Sequence, residues 1–429
     1  MASTYLTRTF GTATSRTTGT ISFWIKTSNF AGGLVNNFSN GSNRAIMYFG
    51  GNSVRFYDAV ANVEYNANAR KIRDCNGWYH FVLMINTTDG TQSDRVRIYI
   101  NGERQTGLSG SQDYNQNENS YMFNPNTPFC IGVDGKDSSG ADFFNGAMSH
   151  FYYCDGQAYD ASSFGETDAT TGEWKIKTNV NVTYGNQGFF ILKDGNSVTD
   201  QSGNGNNFTV GGGTLTKTED NPSNVFATLN PLSSVGTFSY GNTEVEYGSG
   251  TGYQTTTTTL GMTSGKYYCE AKITFDGNYP GFGIAATNSL QATVLGDDWL
   301  GEHSDSYGYY LSGTIYNNGS AIATGQSTFA TNDIIGMALD LDSAQNTLKF
   351  YKNGSLINTT NITTNSNGWF FGTSHVNNKT SARSKFNFGN GYFRSDAVSS
   401  AGTNASNIGI FEYDVPTGYT ALSTKGLNL

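Results

Sequence analysis

Asn332-Asp-Ile-Ile-Gly-Met-Ala-Leu-Asp-Leu-Asp342, followed by Asn346-Thr-Leu-Lys-Phe-Tyr-Lys-Asn-Gly354, decides the fold. Ile335, Met337, Leu339 and Leu341 occupy alternate positions, which in an extended chain puts all four on one face. Leu348 and Phe350 repeat the alternation on a returning segment, and Asn353-Gly354 is the dipeptide that accepts the two positive φ angles of a type I′ turn. The stretch therefore predicts antiparallel strands closed by tight turns. Asp94-Arg-Val-Arg-Ile-Tyr-Ile-Asn-Gly102 follows the same rule: Val96, Ile98 and Ile100 face one way, Arg95, Arg97 and Tyr99 the other, and Asn101-Gly102 makes the turn.

Further strands are predicted on either side. Ile21, Phe23 and Ile25 alternate with Ser22, Trp24 and Lys26, and Trp78–Ile85, Phe129–Val133 and Asn145–Tyr153 complete a first set. Gly265–Ile273, Gly281–Ala285 and Tyr307–Tyr310 join the opening stretch in a second set. The 53 glycines, 26 tyrosines and 28 phenylalanines, with only 6 prolines, suit short strands and tight turns. At 429 residues the chain is long enough for two such domains. The 36% of hydrophobic residues fall in alternating runs, which separates the chain from a disordered one.

Net charge is −9 with only 14% charged residues, so no basic stripe is available to neutralise phosphates and nucleic-acid binding is not expected. Met1-Ala-Ser-Thr-Tyr5 has neither the basic nor the apolar region of a signal peptide, and no run of about 18 apolar residues occurs. These features predict synthesis in a cytosol and no membrane insertion. Cys75, Cys130, Cys154 and Cys269 are scattered without a C-x-x-C pair, and are expected to be buried free thiols rather than zinc ligands. Sequons such as Asn37-Phe-Ser39 and Asn361-Ile-Thr363 are expected by chance in a chain rich in Asn and Thr.

The order F-W-I, W-Y-H-F-V, R-I-Y-I-N-G-E, I-G and F-N-G-A-M-S-H-F over residues 1–165 resembles the laminin-G/concanavalin A-like lectin family, which implies a two-sheet jelly roll. The second set of strands resembles the SPRY/B30.2 family over 233–400, and a SPRY-like sandwich is expected over 233–429. The stretch 166–232 holds two short strand candidates, Gly188–Leu192 and Phe208–Val210, and is expected to be a structured connector. Its strings F-G-E-T-D-x-x-T-G-x-W, D-x-S-G-N-G-N and F-A-T-L-N-P resemble connectors in virion proteins of marine bacteriophages.

Catalysis has few residues to work with. Glycoside hydrolases with this sandwich commonly present two carboxylates on an E-x-D-x-x-E strand; Glu166-Thr-Asp168 leads instead to Gly172-Glu173, and a solvated turn is expected. His80, His150, His303 and His375 form no H-E-x-x-H and no pair at metal-binding spacing, and neither a G-x-S-x-G elbow nor a P-loop occurs. No enzyme activity and no obligatory cofactor are expected. Laminin-G-like modules often use a rim calcium, for which Asp134, Asp137 and Asp142 are the candidates, with Asp194 and Asp200 weaker; Asp-Gly loops also arise for turn reasons alone.

Glycan recognition combines aromatic faces with a few polar groups. The loop aromatics that fit are Tyr114, Tyr121, Trp299 and Tyr307, with Trp299 the favoured anchor beside Asp297 and Asp298; Trp24 and Trp78 lie in strand motifs and are expected in the core. The resemblances together imply a virion surface protein, a capsid fibre, tail fibre or decoration protein, assembled in the host cytoplasm. It would contact other virion proteins, form a homo-oligomer such as a trimer, and attach to a host glycan or receptor. Two other readings fit the same modules: a particle protein with no ligand, and an adaptor that grips peptides.

Overall fold

The computed structural model describes residues 4–27, 29–74, 76–110, 112–135, 142–193, 197–233, 236–247, 252–274, 280–286, 298–376 and 382–428. The chain forms two compact units, Met1–Lys217 and Thr218–Leu429. Both are antiparallel β-sandwiches, the fold class that alternation and turn chemistry predict.

In the first unit one sheet has seven strands, in the order Thr209–Gly212, Tyr5–Thr9, Pro128–Ile131, Gly32–Asn40, Asn43–Phe49, Val54–Asp58 and Val63–Asn66. The facing sheet has six: Phe189–Ile191, Ala147–Asp155, Thr18–Lys26, Tyr79–Asn86, Val96–Ile100 and Glu103–Arg104. Ile21, Phe23, Ile25, Phe81, Leu83, Ile98 and Ile100 point into one core between them. A fully buried side chain of this kind contributes about 1.5–3 kcal/mol.

The other face of the six-stranded sheet is also buried. Val82, Tyr99, Tyr152, Cys154 and Phe190 pack under Ala161 and Phe164, with Tyr159, Trp174, Val180, Val182 and Tyr184 around them. Ser22, Trp24 and Lys26, the polar-patterned side of their strand, are therefore sealed as well. The cover has no regular period, so alternation alone could not reveal it. It is seated by Trp174, whose indole Nε1 donates to His80 Nδ1 at 3.0 Å.

The Asn101-Gly102 turn has φ of +48° and +79°, as a type I′ turn requires. The Trp174 ring lies against it, so a Cβ at Gly102 would come within 2.4 Å of that ring. Gly102→Ala is expected to cost about 2 kcal/mol, from a positive φ and an overpacked contact together. Urea unfolding of the whole chain checks this, and an unchanged midpoint would mean that Trp174 is not seated there.

The second half of the expected connector divides between the units. Phe189–Ile191 pairs with Phe151–Tyr153, and Thr209–Gly212 pairs with the Tyr5–Thr9 strand, so both strand candidates are edge strands of the first sandwich. Residues from Thr218 onward are part of the second unit.

The second unit repeats the plan. One sheet runs Thr237–Ser239, Glu244–Tyr247, Ala382–Asn387, Lys266–Ile273, Ile334–Asp340, Thr347–Lys352 and Ser355–Asn361, with Thr420–Ala421 added parallel to Lys266–Ile273. The other runs Tyr253–Thr257, Trp369–Val376, Gly281–Ala286, Ser306–Tyr310, Thr314–Asn317 and Ser320–Ala323. Ile335, Met337, Leu339, Leu348 and Phe350 face the core, and Asn353 and Gly354 turn at φ +48° and +79°. On the far side of the first of these sheets, Tyr268 and Ala338 lie under Phe226, Phe411, Val415, Tyr419 and Ala421. Glu270, fully buried, holds this C-terminal cover by accepting from the backbone N–H of Glu412 and of Tyr413, each at 2.9 Å.

Cys130, Cys154 and Cys269 are buried free thiols, and burial raises the pKa of Cys154 and Cys269; Cys75 lies outside the described residues. No helix among the described residues is long and apolar enough to cross a membrane.

Candidate functional site

Of the aromatic residues proposed to meet a ligand, three belong to the interior. Tyr114 is fully buried, its hydroxyl donating to Asp58 Oδ2 at 2.6 Å and its N–H to Tyr65 Oη at 3.0 Å. Tyr121 sits in a short 3-10 turn, where its N–H also donates to Asp58 Oδ2. Tyr307 is a strand residue that packs on Trp369 and accepts from Thr363 N–H. In each case a distant partner in sequence turns an apparent loop aromatic into core.

Trp299 has a different environment. It is half-buried in the segment that leads from Asp298 to the Ser306–Tyr310 strand, with ring centroids 5.8 Å from Tyr253, 5.6 Å from Tyr310 and 5.1 Å from Tyr316. Tyr310 is buried and donates its hydroxyl to Leu300 O at 2.9 Å, while Tyr253 and Tyr316 are half-buried like Trp299. The result is a cluster in which Trp299 meets Tyr310 and Tyr316 edge-to-face, the geometry that aromatic pairs favour, and Tyr253 at a tilt, with Trp299, Tyr253 and Tyr316 partly exposed.

The backbone beneath this cluster is tied down at nearly every residue. Asp298 O accepts from Thr255 Oγ1, Leu300 N–H donates to Ser374 Oγ at 2.7 Å, and Gly301 N–H donates to Ser306 Oγ at 2.8 Å. Gly301 lies at φ +98°, a conformation that glycine adopts without strain. Trp299 N–H donates to Glu302 Oε2, and Glu302 N–H returns a bond to Trp299 O, so the turn closes on itself. Asn317 Nδ2 bridges His303 O, Ser304 O and Ser306 O. A site on such a loop is preorganised, which lowers the entropic cost of binding.

The same turn gathers Asp298, Glu302 and His303, whose side-chain donor atoms lie within 4.8 Å of one another. Glu302 and His303 escaped the sequence reading because the search for metal spacing looked for paired histidines. The pattern Asp298-x-x-x-Glu302-His303 was the available signal. Asp297 lies outside the described residues.

Asp134 and Asp142 close a loop: Asp134 Oδ1 accepts from Asp142 N–H at 2.8 Å, and Asp142 O accepts from Asp134 N–H and Gly33 N–H, each at 3.2 Å. Burial raises the pKa of the Asp134 carboxyl. The third calcium candidate, Asp137, lies outside the described residues. Asp200 caps its own loop by accepting from Phe190, Ser202 and Asn206 N–H; Asp194 is outside the described residues.

Glu166 and Asp168 sit on a small hairpin, both ion-paired with Lys175, and the hydrogen bond from Lys175 holds the Asp168 carboxyl well below the usual carboxylate range. Three Ser–His pairs occur among the described residues: Ser22 Oγ with His80 Nε2 at 2.8 Å, Ser384 Oγ with His375 Nε2 at 2.7 Å, and the adjacent Ser149 Oγ with His150 Nδ1 at 2.7 Å, where His150 is half-buried. The first two are fully buried, and desolvation pushes the imidazoles of His80 and His375 down to about 3. A sealed imidazole of that basicity meets no substrate and is a poor general base at neutral pH.

The architecture is thus that of two successive sandwich modules, one of which carries an aromatic loop on a pinned backbone. Residues 2–157 match the family described as the concanavalin A-like lectin/glucanases superfamily, and residues 266–391 match the SPRY domain family. The chain carries a laminin-G/concanavalin A-like domain followed by a SPRY domain, domain types that typically bind carbohydrate or protein. Among solved structures it is similar to the SPRY domain of human HERC1, at 21% identity over 37% of this chain and 96% of that one, with a TM-score of 0.32. It is also similar to a human SPRY domain, at 20% identity over 34% and 90% of the two chains and a TM-score of 0.28. The TRIM65 PSpry domain follows at 15% identity, 38% and 88% coverage and a TM-score of 0.30. No curated protein sequence matches the chain.

Proposed function

We propose that this protein is a non-catalytic binding protein of a bacteriophage virion surface, which attaches to a host glycan through the Trp299 loop of its SPRY domain. The observation that carries the glycan reading is the half-buried Trp299–Tyr253–Tyr316 cluster on a backbone held at successive residues. Flat aromatic faces with nearby carboxylates suit a sugar, whose ring stacks while its hydroxyls find acceptors. The virion assignment rests on the resemblance of the 164–231 strings to those of phage particle proteins. Repeated copies, as in a homo-oligomer fixed to other virion proteins, would raise a weak single-site affinity by avidity. The absence of catalysis is supported by the burial of the Ser22–His80 and Ser384–His375 pairs and the tethering of Glu166 and Asp168 to Lys175.

The test is a glycan array probed with the whole chain, followed by Trp299→Ala. Binding to at least one glycan class is expected, and the substitution is expected to weaken it by tenfold or more, as for an interface anchor. A thermal melt confirms that the variant remains folded. Absence of any glycan signal, or a Trp299→Ala protein that binds as before, overturns the reading; capture of peptides at the same loop would favour the adaptor role.

A further inference from the structure

We infer that Asp298, Glu302 and His303 form a binding site for a divalent transition cation, with Zn2+ the best match. The inference stands apart from the glycan reading and rests on three features of the turn.

The first is the unmet demand of its polar atoms. Asp298 Oδ2 and His303 Nε2 are shielded from solvent, and among the described residues neither has a hydrogen-bond partner. Shielded polar atoms are normally satisfied by a hydrogen-bond partner. Both can accept, and both belong to the same small cluster, so one cation answers both demands.

The second is spacing. His303 Nε2 stands 3.5 Å from Asp298 Oδ1, long for a hydrogen bond between these atoms. Two ligands bound to zinc at 2.0–2.1 Å in a tetrahedron lie about 3.3 Å apart. The pair is therefore near the edge length of a tetrahedral site, and small side-chain rotations bring in the third donor, since all three fall within 4.8 Å of one another. Glu302 gives one oxygen to Trp299 N–H, an outer hydrogen bond of the sort that orients a metal ligand.

The third concerns which metal. Calcium takes six to eight oxygen ligands, many of them backbone carbonyls. Here most carbonyls of the turn already accept a hydrogen bond: Asp298 O from Thr255 Oγ1, Trp299 O from Glu302 N–H, Leu300 O from Tyr310 Oη, Gly301 O from Gly319 N–H, and His303 O from Ser306 and Asn318 N–H. Two carboxylates and one imidazole form a set that suits zinc, with a fourth position left for water or for a ligand oxygen. The site brackets Trp299 in sequence, so a bound cation would fix the aromatic loop from both sides.

The experiment uses the full chain after treatment with EDTA and dialysis, titrated by calorimetry with ZnCl2, MnCl2 and CaCl2 while tryptophan fluorescence is followed. Zn2+ is expected to bind at one equivalent and more tightly than Ca2+, with a fluorescence change that Trp299→Phe abolishes. His303→Gln and Asp298→Asn are each expected to weaken Zn2+ binding at least tenfold, since even outer partners of metal ligands cost 10–100-fold. Glu302→Gln provides a third variant should either of the others fail to fold by circular dichroism. No Zn2+ uptake, uptake that persists unchanged in folded variants, or preference for Ca2+ overturns the assignment.

Discussion

Asp58→Ala is expected to destabilise the first unit by about 4 kcal/mol, because the lost carboxylate leaves a set of buried donors unpaired. Asp58 is fully buried at the end of the Val54–Asp58 strand. Its Oδ1 accepts from Val60 N–H at 3.1 Å and Ala61 N–H at 3.3 Å, which turns the chain into the next strand. Its Oδ2 accepts from Tyr114 Oη, Ser120 Oγ and Tyr121 N–H, at 2.6, 3.1 and 2.7 Å. The irregular stretch 105–127 is thereby gathered around one side chain. Arg95 adds a second tie by donating from Nη1 to Tyr114 O at 2.7 Å. Urea unfolding measures the loss, and hydrogen exchange is expected to show it first in 105–127. A loss below about 1 kcal/mol would mean that water or a rearranged side chain replaces the carboxylate, contrary to this network.

Asp58 also explains which parts of the molecule could be read from sequence. Strands and turns were legible because their causes are local: Val96, Ile98 and Ile100 alternate, and Asn353-Gly354 carries its turn angles in its own chemistry. Tyr114 and Tyr121 were misplaced because the group that buries them lies about 60 residues earlier, and no local pattern marks that pairing. The covers over each sandwich were invisible for the same reason. Trp174 reaches His80, and Glu270 reaches Glu412 and Tyr413, through contacts that only the fold creates. The edge strands Phe189–Ile191 and Thr209–Gly212 were recognised as strands, but their attachment to the first sandwich depends on partners far back in the chain. At the candidate site, Trp299 stood out because an irregular polar stretch surrounds it. Glu302 and His303 became meaningful only once the turn brought them to Asp298.

Acidification from pH 6.5 to 4.5 is expected to weaken the first unit by about 2 kcal/mol while the second unit changes little. In the first unit the cause is His80. The Trp174 indole can only donate, so His80 Nδ1 accepts, and the proton of the neutral ring sits on Nε2 and is given to Ser22 Oγ. A second proton would have to displace the indole bond in a site without solvent, and desolvation pushes the pKa down to about 3. The unfolded chain, with an ordinary histidine pKa near 6.5, takes up that proton first. Stability contributed by neutral His80 is therefore whole above pH 6.5 and is lost progressively as pH falls toward 3.

His375 gives the second unit the same liability, with its pKa also near 3 from burial. Glu270 opposes it. Burial raises its pKa to about 7 in spite of the hydrogen bonds from Glu412, Tyr413, Tyr268 and Asn387. A carboxyl with a raised folded pKa contributes stability that is full below its unfolded value, near 4.5, and is lost as pH rises through 7. Between pH 4.5 and 6.5 the two groups thus run in opposite directions, each by about one proton, and their contributions nearly cancel. Hydrogen exchange of the whole chain at pH 6.5, 5.5 and 4.5, corrected for intrinsic rates, separates the two units by their peptides. His80→Gln should flatten the profile of the first unit, and Glu270→Gln should expose the acid sensitivity that His375 otherwise imposes on the second. If protection in the first unit does not change with pH, or Glu270→Gln leaves the slope of the second as it was, then these buried groups do not govern the response to acid.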